Sequence, residues 1–152
     1  MSSPYWKRVS LSRLRSPHKG DSGRIEAALN ASLVSVRRQD INYLVDVQLA
    51  VNMLTMGGVE AKIVDDVYLV AWEVGTPWYS YHKVLNELLV LRLGNGSSFQ
   101  AVADFLDDLA DEHDVALTTV GGALTRLPKA LARLYSRHGY VDEGKPTLTK
   151  RR

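Results

Sequence analysis

The chain is organised around the run Val84-Leu85-Asn86-Glu87-Leu88-Leu89-Val90-Leu91-Arg92-Leu93-Gly94-Asn95-Gly96-Ser97-Ser98, which opens the longer stretch Val84–Tyr140. Leu88, Leu89, Val90 and Leu91 in succession predict a strand buried on both faces, as in the middle of a mixed sheet. Gly94 to Ser98 then makes a glycine turn, and Phe99 to about His113 keeps the spacing of an amphipathic helix. Ala116-Leu117-Thr118-Thr119-Val120 reads as a second strand. A basic helix follows and ends in Leu134-Tyr135-Ser136-Arg137-His138-Gly139-Tyr140. Strand, turn, helix, strand and helix make a βαβα unit, so Leu88–Arg92 is expected to pair in parallel with Ala116–Val120. A turn that opens a helix presents unpaired N–H groups and partial positive charge, and can hold a phosphate.

Downstream of the turn, Val102, Phe105, Leu106, Leu109 and His113 form one stripe of the helix. Its other face carries Asp104, Asp107, Asp108, Asp111 and Glu112, either a solvated surface or an interface with a basic tail. In the last helix Leu127, Ala130, Leu131, Leu134 and Tyr135 form the apolar stripe, with Lys129, Arg133 and Arg137 as a basic ridge. Thr147-Leu148-Thr149 reads as an edge strand. Upstream, Val59–Val64 and Val67–Val74 predict a hairpin turned by Asp65-Asp66, although this turn lacks the usual glycine. Gly75 to His82 is a loop dense in aromatics, which either line a binding site or plug the open end of the sheet.

Before the hairpin, Ile25, Ala28, Leu29, Ser32, Leu33 and Val36 predict a helix from Gly23 to about Val36. Asp40 is the expected N-cap of a second helix carrying Ile41, Leu44, Val45, Gln48, Leu49 and Asn52, which Gly57-Gly58 stops. Residues 1–22 hold Ser-Pro twice and little periodicity, and predict an extended basic arm with few intramolecular contacts. The organisation expected is therefore an arm over 1–22 and one domain over 23–152.

At 152 residues, 45% hydrophobic and 24% charged, the composition is that of an ordinary globular domain large enough for a real core. The absence of cysteine excludes disulfides, thiol nucleophiles and cysteine metal sites. His18, His82, His113 and His138 lack metal-ligand spacing, so no metal is expected. No apolar run approaches the roughly 20 residues of a membrane span, and the N-terminus lacks a signal-peptide core, which predicts a cytoplasmic protein. The net charge of +2 hides an asymmetry: residues 1–24 hold six Lys/Arg and one acid, and residues 145–152 hold four Lys/Arg and none. An acidic body thus carries two basic ends, which serve as solvated tails or contact an acidic partner. Nucleic acid is a weaker partner, because the aromatics are not interleaved with the bases.

The predicted order of helix, helix, three strands, glycine turn, helix, strand, helix and strand resembles the GCN5-related N-acetyltransferase fold, a single-domain α/β mixed sheet with flanking helices. In that family a strand leads into an Arg/Gln-x-x-Gly-x-Gly/Ala turn whose amides bind the pyrophosphate of acetyl-coenzyme A; here the text is Arg92-Leu93-Gly94-Asn95-Gly96-Ser97. The family's later helix often ends in Tyr, a few residues, then Gly-Phe or Gly-Tyr, matched here by Tyr135 to Gly139-Tyr140. The likeness covers roughly Val59 to the C-terminus, and its wording is most similar to small acetyltransferase-like proteins of tailed bacteriophages. Such relatives act in the host cytoplasm or sit inside the virion, some as structural proteins. Three features depart from the family pattern. The turn is one residue shorter, Pro128 stands where the family often has an asparagine, and the arm replaces a short first strand.

The resemblance implies an N-acetyltransferase that uses acetyl-coenzyme A on an amine of a small molecule or protein. The coenzyme segment would be Leu91, Arg92, Leu93, Gly94, Asn95, Gly96, Ser97 and Ser98, with Ser97 or Ser98 capping the helix. Tyr135 would donate a proton to the leaving sulfur or orient it, and Glu87 or Glu73 would act as base through a water. The acidic body would favour a cationic acceptor. The alternative is a noncatalytic protein of the same fold, held in a homo-oligomer or a virion assembly by its basic ends.

Overall fold

The computed structural model describes residues 7–35, 44–121, 129–143 and 150. Its elements in chain order are β1 (Leu14–Arg15), α1 (Ser22–Ser35), α2 (Val47–Thr55), β2 (Glu60–Val64), β3 (Tyr68–Gly75), β4 (Val84–Arg92), α3 (Gln100–His113), β5 (Leu117–Thr119) and α4 (Lys129–Ser136). The strands form a five-stranded mixed sheet in the order β1-β2-β3-β4-β5. All pairs are antiparallel except β4 with β5. Helices cover both faces. Ile25 and Leu29 of α1 and Val51 and Leu54 of α2 pack on Ile63, Leu69, Ala71, Leu89 and Leu91. On the other face Val102, Phe105, Leu106 and Leu109 of α3, with Tyr135 of α4, pack on Val64, Val70, Trp72 and Leu85.

The hairpin forms as the sequence predicts. Asp65 and Asp66 both adopt left-handed backbone, φ 53° and 56°, and the Val67 N–H donates to the Val64 carbonyl at 3.0 Å. This is the twist that suits a two-residue connection, and aspartate tolerates it better than most residues. The second helix begins later than expected: Asp46 caps α2 by accepting from the Leu49 N–H at 3.0 Å. Asp40 and Ile41 lie outside the described residues, as do Leu127, Pro128 and the expected strand Thr147-Leu148-Thr149.

One expectation about β4 is corrected. Its parallel pairing with β5 runs Val84↔Leu117, Leu85↔Thr118 and Asn86↔Thr119, so the paired segment precedes Leu88–Arg92. β4 is covered on both faces as the sequence predicts, with Leu85 and Val90 on the α3 face and Leu89 and Leu91 on the α1/α2 face, but the Leu88-Leu89 step departs from strand alternation. The register with β3 jumps from Trp72↔Glu87 to Ala71↔Leu89, which leaves Leu88 as the extra residue of a β-bulge. Leu88 and Leu89 therefore pack together on the α1/α2 face. A bulge bends its strand and interrupts pairing. Beyond Asn86, β4 and β5 make no further ladder pairs among the described residues.

The extended arm is also corrected for residues 7–22. Leu14–Arg15 pairs with β2, which restores the short first strand that the sequence seemed to lack. Val9 is fully buried. Asp108, expected on a solvated face, is buried because it receives this segment. Its carboxylate accepts from the Arg8 and Val9 N–H groups, each at 2.9 Å, and from the Arg8 guanidinium at 3.3 Å. Arg8 also reaches Asp111 at 2.8 Å, and Lys7 lies 3.6 Å from Glu112. The acidic face is an interface with the chain's own basic N-terminal segment. Asp108→Ala strands two main-chain donors, and the expected cost is about 2 kcal/mol, read as a lower urea midpoint with unchanged slope.

Candidate functional site

The bulge and the glycine turn define the site. Glu87 stands one residue past Asn86, the last β4 residue paired with β5 among the described residues; it is 2% exposed, and its carboxylate accepts from the Gly121 N–H at 3.1 Å. Gly121 has φ 91°, which a side chain would disfavour. Glu87 shares the α3 face with its cross-strand partner Trp72. Glu73 lies opposite Asn86 and, by strand alternation, on the α1/α2 face with Ala71. The two candidate carboxylates are on opposite faces of the sheet, and only Glu87 is brought towards Tyr135. Glu73 is exposed and accepts weakly from Asn86 at 3.5 Å. Asn86 in turn accepts from the Thr119 hydroxyl, tying β4 to β5 just before they part.

Tyr135 lies beneath this junction, 2% exposed. Its ring meets Phe99 edge-on at 4.8 Å and Tyr140 at 5.0 Å, so the residue after the glycine turn and the Gly139-Tyr140 pair clamp it from two sides. Its hydroxyl is buried without a hydrogen-bond partner. Burial pushes the Tyr135 phenol well above the ordinary tyrosine range, and the charge of Glu87 adds to this. Burial likewise pushes Tyr140 up to about 12. A cavity of about 690 Å³ opens beside them, lined by Thr118, Thr119, Val120, Tyr135, Tyr140 and Asp107 among others.

The glycine turn joins Arg92 to α3. Leu91 is buried at the end of β4, and the Leu93 N–H donates to the Val67 carbonyl. The N–H groups of Gly94, Asn95, Gly96, Ser97 and Ser98 find no acceptor among the described residues. Gly96 has φ 103°, and a Cβ there would meet nothing within 4 Å. The space beside Gly96 is open. Arg92 braces the turn: its Nε donates to the Gly94 carbonyl at 3.0 Å and its terminal amino group to Asn95 at 3.3 Å. Neither serine caps α3. The N-cap position is Phe99, without a side-chain cap, and the Ser97 hydroxyl donates to Asp65 at 2.7 Å.

That last contact brings in residues the sequence reading missed. Asp65 is held by Arg13 through two bonds of 2.6 Å, Asp66 by Arg15 and Arg24, and Asp21 by two bonds of 2.8 Å from Arg15. The available signal was the hairpin turn that used Asp-Asp where glycine is easier. Arg15 holds the buried Asp21 carboxyl down to about 2. Because the folded value lies below the unfolded one, near 3.9, this stabilisation is full above about pH 4 and lost as pH falls towards 2. Unfolding free energy is expected to drop by roughly 1–2 kcal/mol over that window, and Asp21→Asn to flatten the profile in urea titrations.

Among the described residues no helix is long and apolar enough to cross a membrane. The aromatic loop does not plug the sheet: Trp78, Tyr79 and Tyr81 are exposed, Trp78 by 95%.

No family model matches the chain, and no curated protein matches it by sequence. Solved structures do share its fold. Ribosomal-protein-alanine N-acetyltransferase from Brucella melitensis biovar Abortus 2308 superposes with a TM-score of 0.60 at 19% identity, over 90% of this chain and 98% of the other. A structure described as a probable acetyltransferase gives 0.59 at 11% identity, over 91% and 97%. At these identities the likeness establishes the fold.

Proposed function

We propose, from the GCN5-related N-acetyltransferase fold that this chain has, that it is an acetyl-coenzyme A-dependent N-acetyltransferase. The observation that carries the reading is the buried Tyr135 hydroxyl near Glu87, which has no hydrogen-bond partner among the described residues. A buried hydroxyl without a partner is costly, so its retention points to a ligand that uses it.

Two features fit the coenzyme. The unpaired amides of Gly94–Ser98 precede a 14-residue helix, and converging N–H groups with a helix dipole suit a pyrophosphate. Past Asn86, β4 has no ladder pairs with β5 among the described residues, which leaves its edge available to a ligand there. Bound there, acetyl-coenzyme A would supply an activated thioester acyl group.

The chain's own residues supply the rest. The amides of Gly94–Ser98 hold phosphate oxygens, with Arg92 keeping the turn in shape. Burial keeps the proton on the Tyr135 hydroxyl, which can therefore hydrogen-bond to a nearby sulfur and orient it as the thiolate forms. Glu87, fixed by the Gly121 N–H, is the carboxylate placed to accept a proton from the incoming amine through a water. Glu73, on the other face, takes no part. Asp107, Asp142 and Glu143 line the cavity beside Tyr135, which favours a cationic acceptor.

The deciding experiment is calorimetry with acetyl-coenzyme A, paired with a thermal shift. A ligand bound only to the folded state raises the melting temperature by mass action. Heat and a shift support the enzyme. Their absence at millimolar coenzyme retires it and leaves a fold used for assembly, a role for which the exposed Trp78, Tyr79 and Tyr81 offer a surface.

A further inference from the structure

The contacts around Asp65 reach from the N-terminal segment to the glycine turn. Arg13 stands just before β1, and both its Nε and a terminal nitrogen lie 2.6 Å from the Asp65 carboxylate. Asp65 then accepts from the Ser97 hydroxyl at 2.7 Å. A second strut runs beside it. Arg24 of α1 donates to the Asp66 carboxylate at 3.0 Å, to the Asp66 carbonyl at 2.8 Å and to the Leu93 carbonyl at 3.4 Å. Its terminal nitrogen also lies 3.6 Å from where a Gly94 Cβ would sit. The two struts therefore grip the turn at both ends, Leu93 and Ser97.

We infer that the Asp65-Asp66 turn is a positioning device for the glycine turn: Asp65, fixed by Arg13, orients Ser97, and Arg24 ties Leu93 to Asp66. This rests on the reading of the glycine turn as the coenzyme cradle. Two further observations support it. Both aspartates hold left-handed backbone that glycine or asparagine would adopt more easily, so the turn retains side chains that it uses. Each carboxylate is also matched by arginine, which offsets negative charge close to a site meant for phosphate. The Arg13 and Ser97 bonds hold the Asp65 carboxyl below its usual range, so the strut stays charged. A cradle of amides binds well only if its amides are already aimed, because ordering them on binding subtracts from affinity. Asp65 and the Ser97 hydroxyl act by positioning, and only the Ser97 amide touches the ligand.

The test uses Ser97→Ala, Asp65→Ala and the double variant, read in two ways. In the ligand-free protein, ¹⁵N relaxation order parameters should fall across Gly94–Ser98 in each variant, while those of α3 from Ala103 onward stay unchanged. Coenzyme A titrated by calorimetry should bind about five- to tenfold more weakly to each single variant, with the double no worse than either, because one contact is lost in all three. Unchanged order parameters, or single-variant losses that add, overturn the inference. If the wild type gives no heat with coenzyme A while the variants still loosen the turn, the coenzyme reading fails and the positioning role stands. If the wild type binds and Ser97→Ala binds equally well, the reverse holds.

Discussion

Tyr135→Phe is expected to slow acetyl transfer by about 100-fold, the usual contribution of a positioned acid, while making the protein more stable. The two effects have one cause. The hydroxyl is buried without a partner in the free protein, so deleting it removes an unsatisfied polar group while the ring keeps its edge-on contacts with Phe99 and Tyr140. Relief of that group is worth about 1 kcal/mol, or roughly 2–4 °C in melting temperature for a chain of this size. Affinity for acetyl-coenzyme A should change little, because the amide cradle is untouched, so the loss appears in kcat. Steady-state kinetics and a melting curve on the same preparation check both halves. A variant that is less stable and fully active would show that the hydroxyl is structural, and the assignment of Tyr135 would fall.

Gly96→Val is expected to weaken acetyl-coenzyme A binding at least about tenfold, or about 1.4 kcal/mol. The cause is backbone strain. A Cβ at Gly96 would meet nothing within 4 Å, so no clash drives the effect. At φ 103°, however, a β-branched residue is strongly disfavoured, and the turn must rotate its amides to relieve it. Gly23→Ala is the control: that glycine sits in α1 with open space and ordinary helical backbone, and its substitution should leave binding unchanged. Calorimetry on the three proteins reads the result. Equal affinities would mean that the turn does not bind the coenzyme.

What the sequence determined by itself is local. The helix of Gln100–His113 was readable from Val102, Phe105, Leu106 and Leu109, because a 3.6-residue period records which side of a helix is buried. The Asp65-Asp66 hairpin was readable from β-branched runs separated by two turn-forming residues, and Leu91 to Ser98 from a strand that ends in glycines. Tyr135 and Gly139-Tyr140 were legible as a segment only through their resemblance to the family's pattern. Tertiary structure alone decided the remainder. Leu88-Leu89 carries no mark of the bulge, since that depends on which β3 residue lies opposite. Glu73 and Glu87 look alike along the chain, yet the sheet sends them to opposite faces. Asp108 sits among acids on its helix, and only folding brings the Arg8 and Val9 amides to it across 100 and 99 residues of sequence. Ser97 and Asp65 meet across 32 residues in the same way. Periodicity encodes exposure to a core, which is a property of neighbours within a few residues. The identity of a hydrogen-bonding partner is set by chain reversal and strand register, which local spacing does not record.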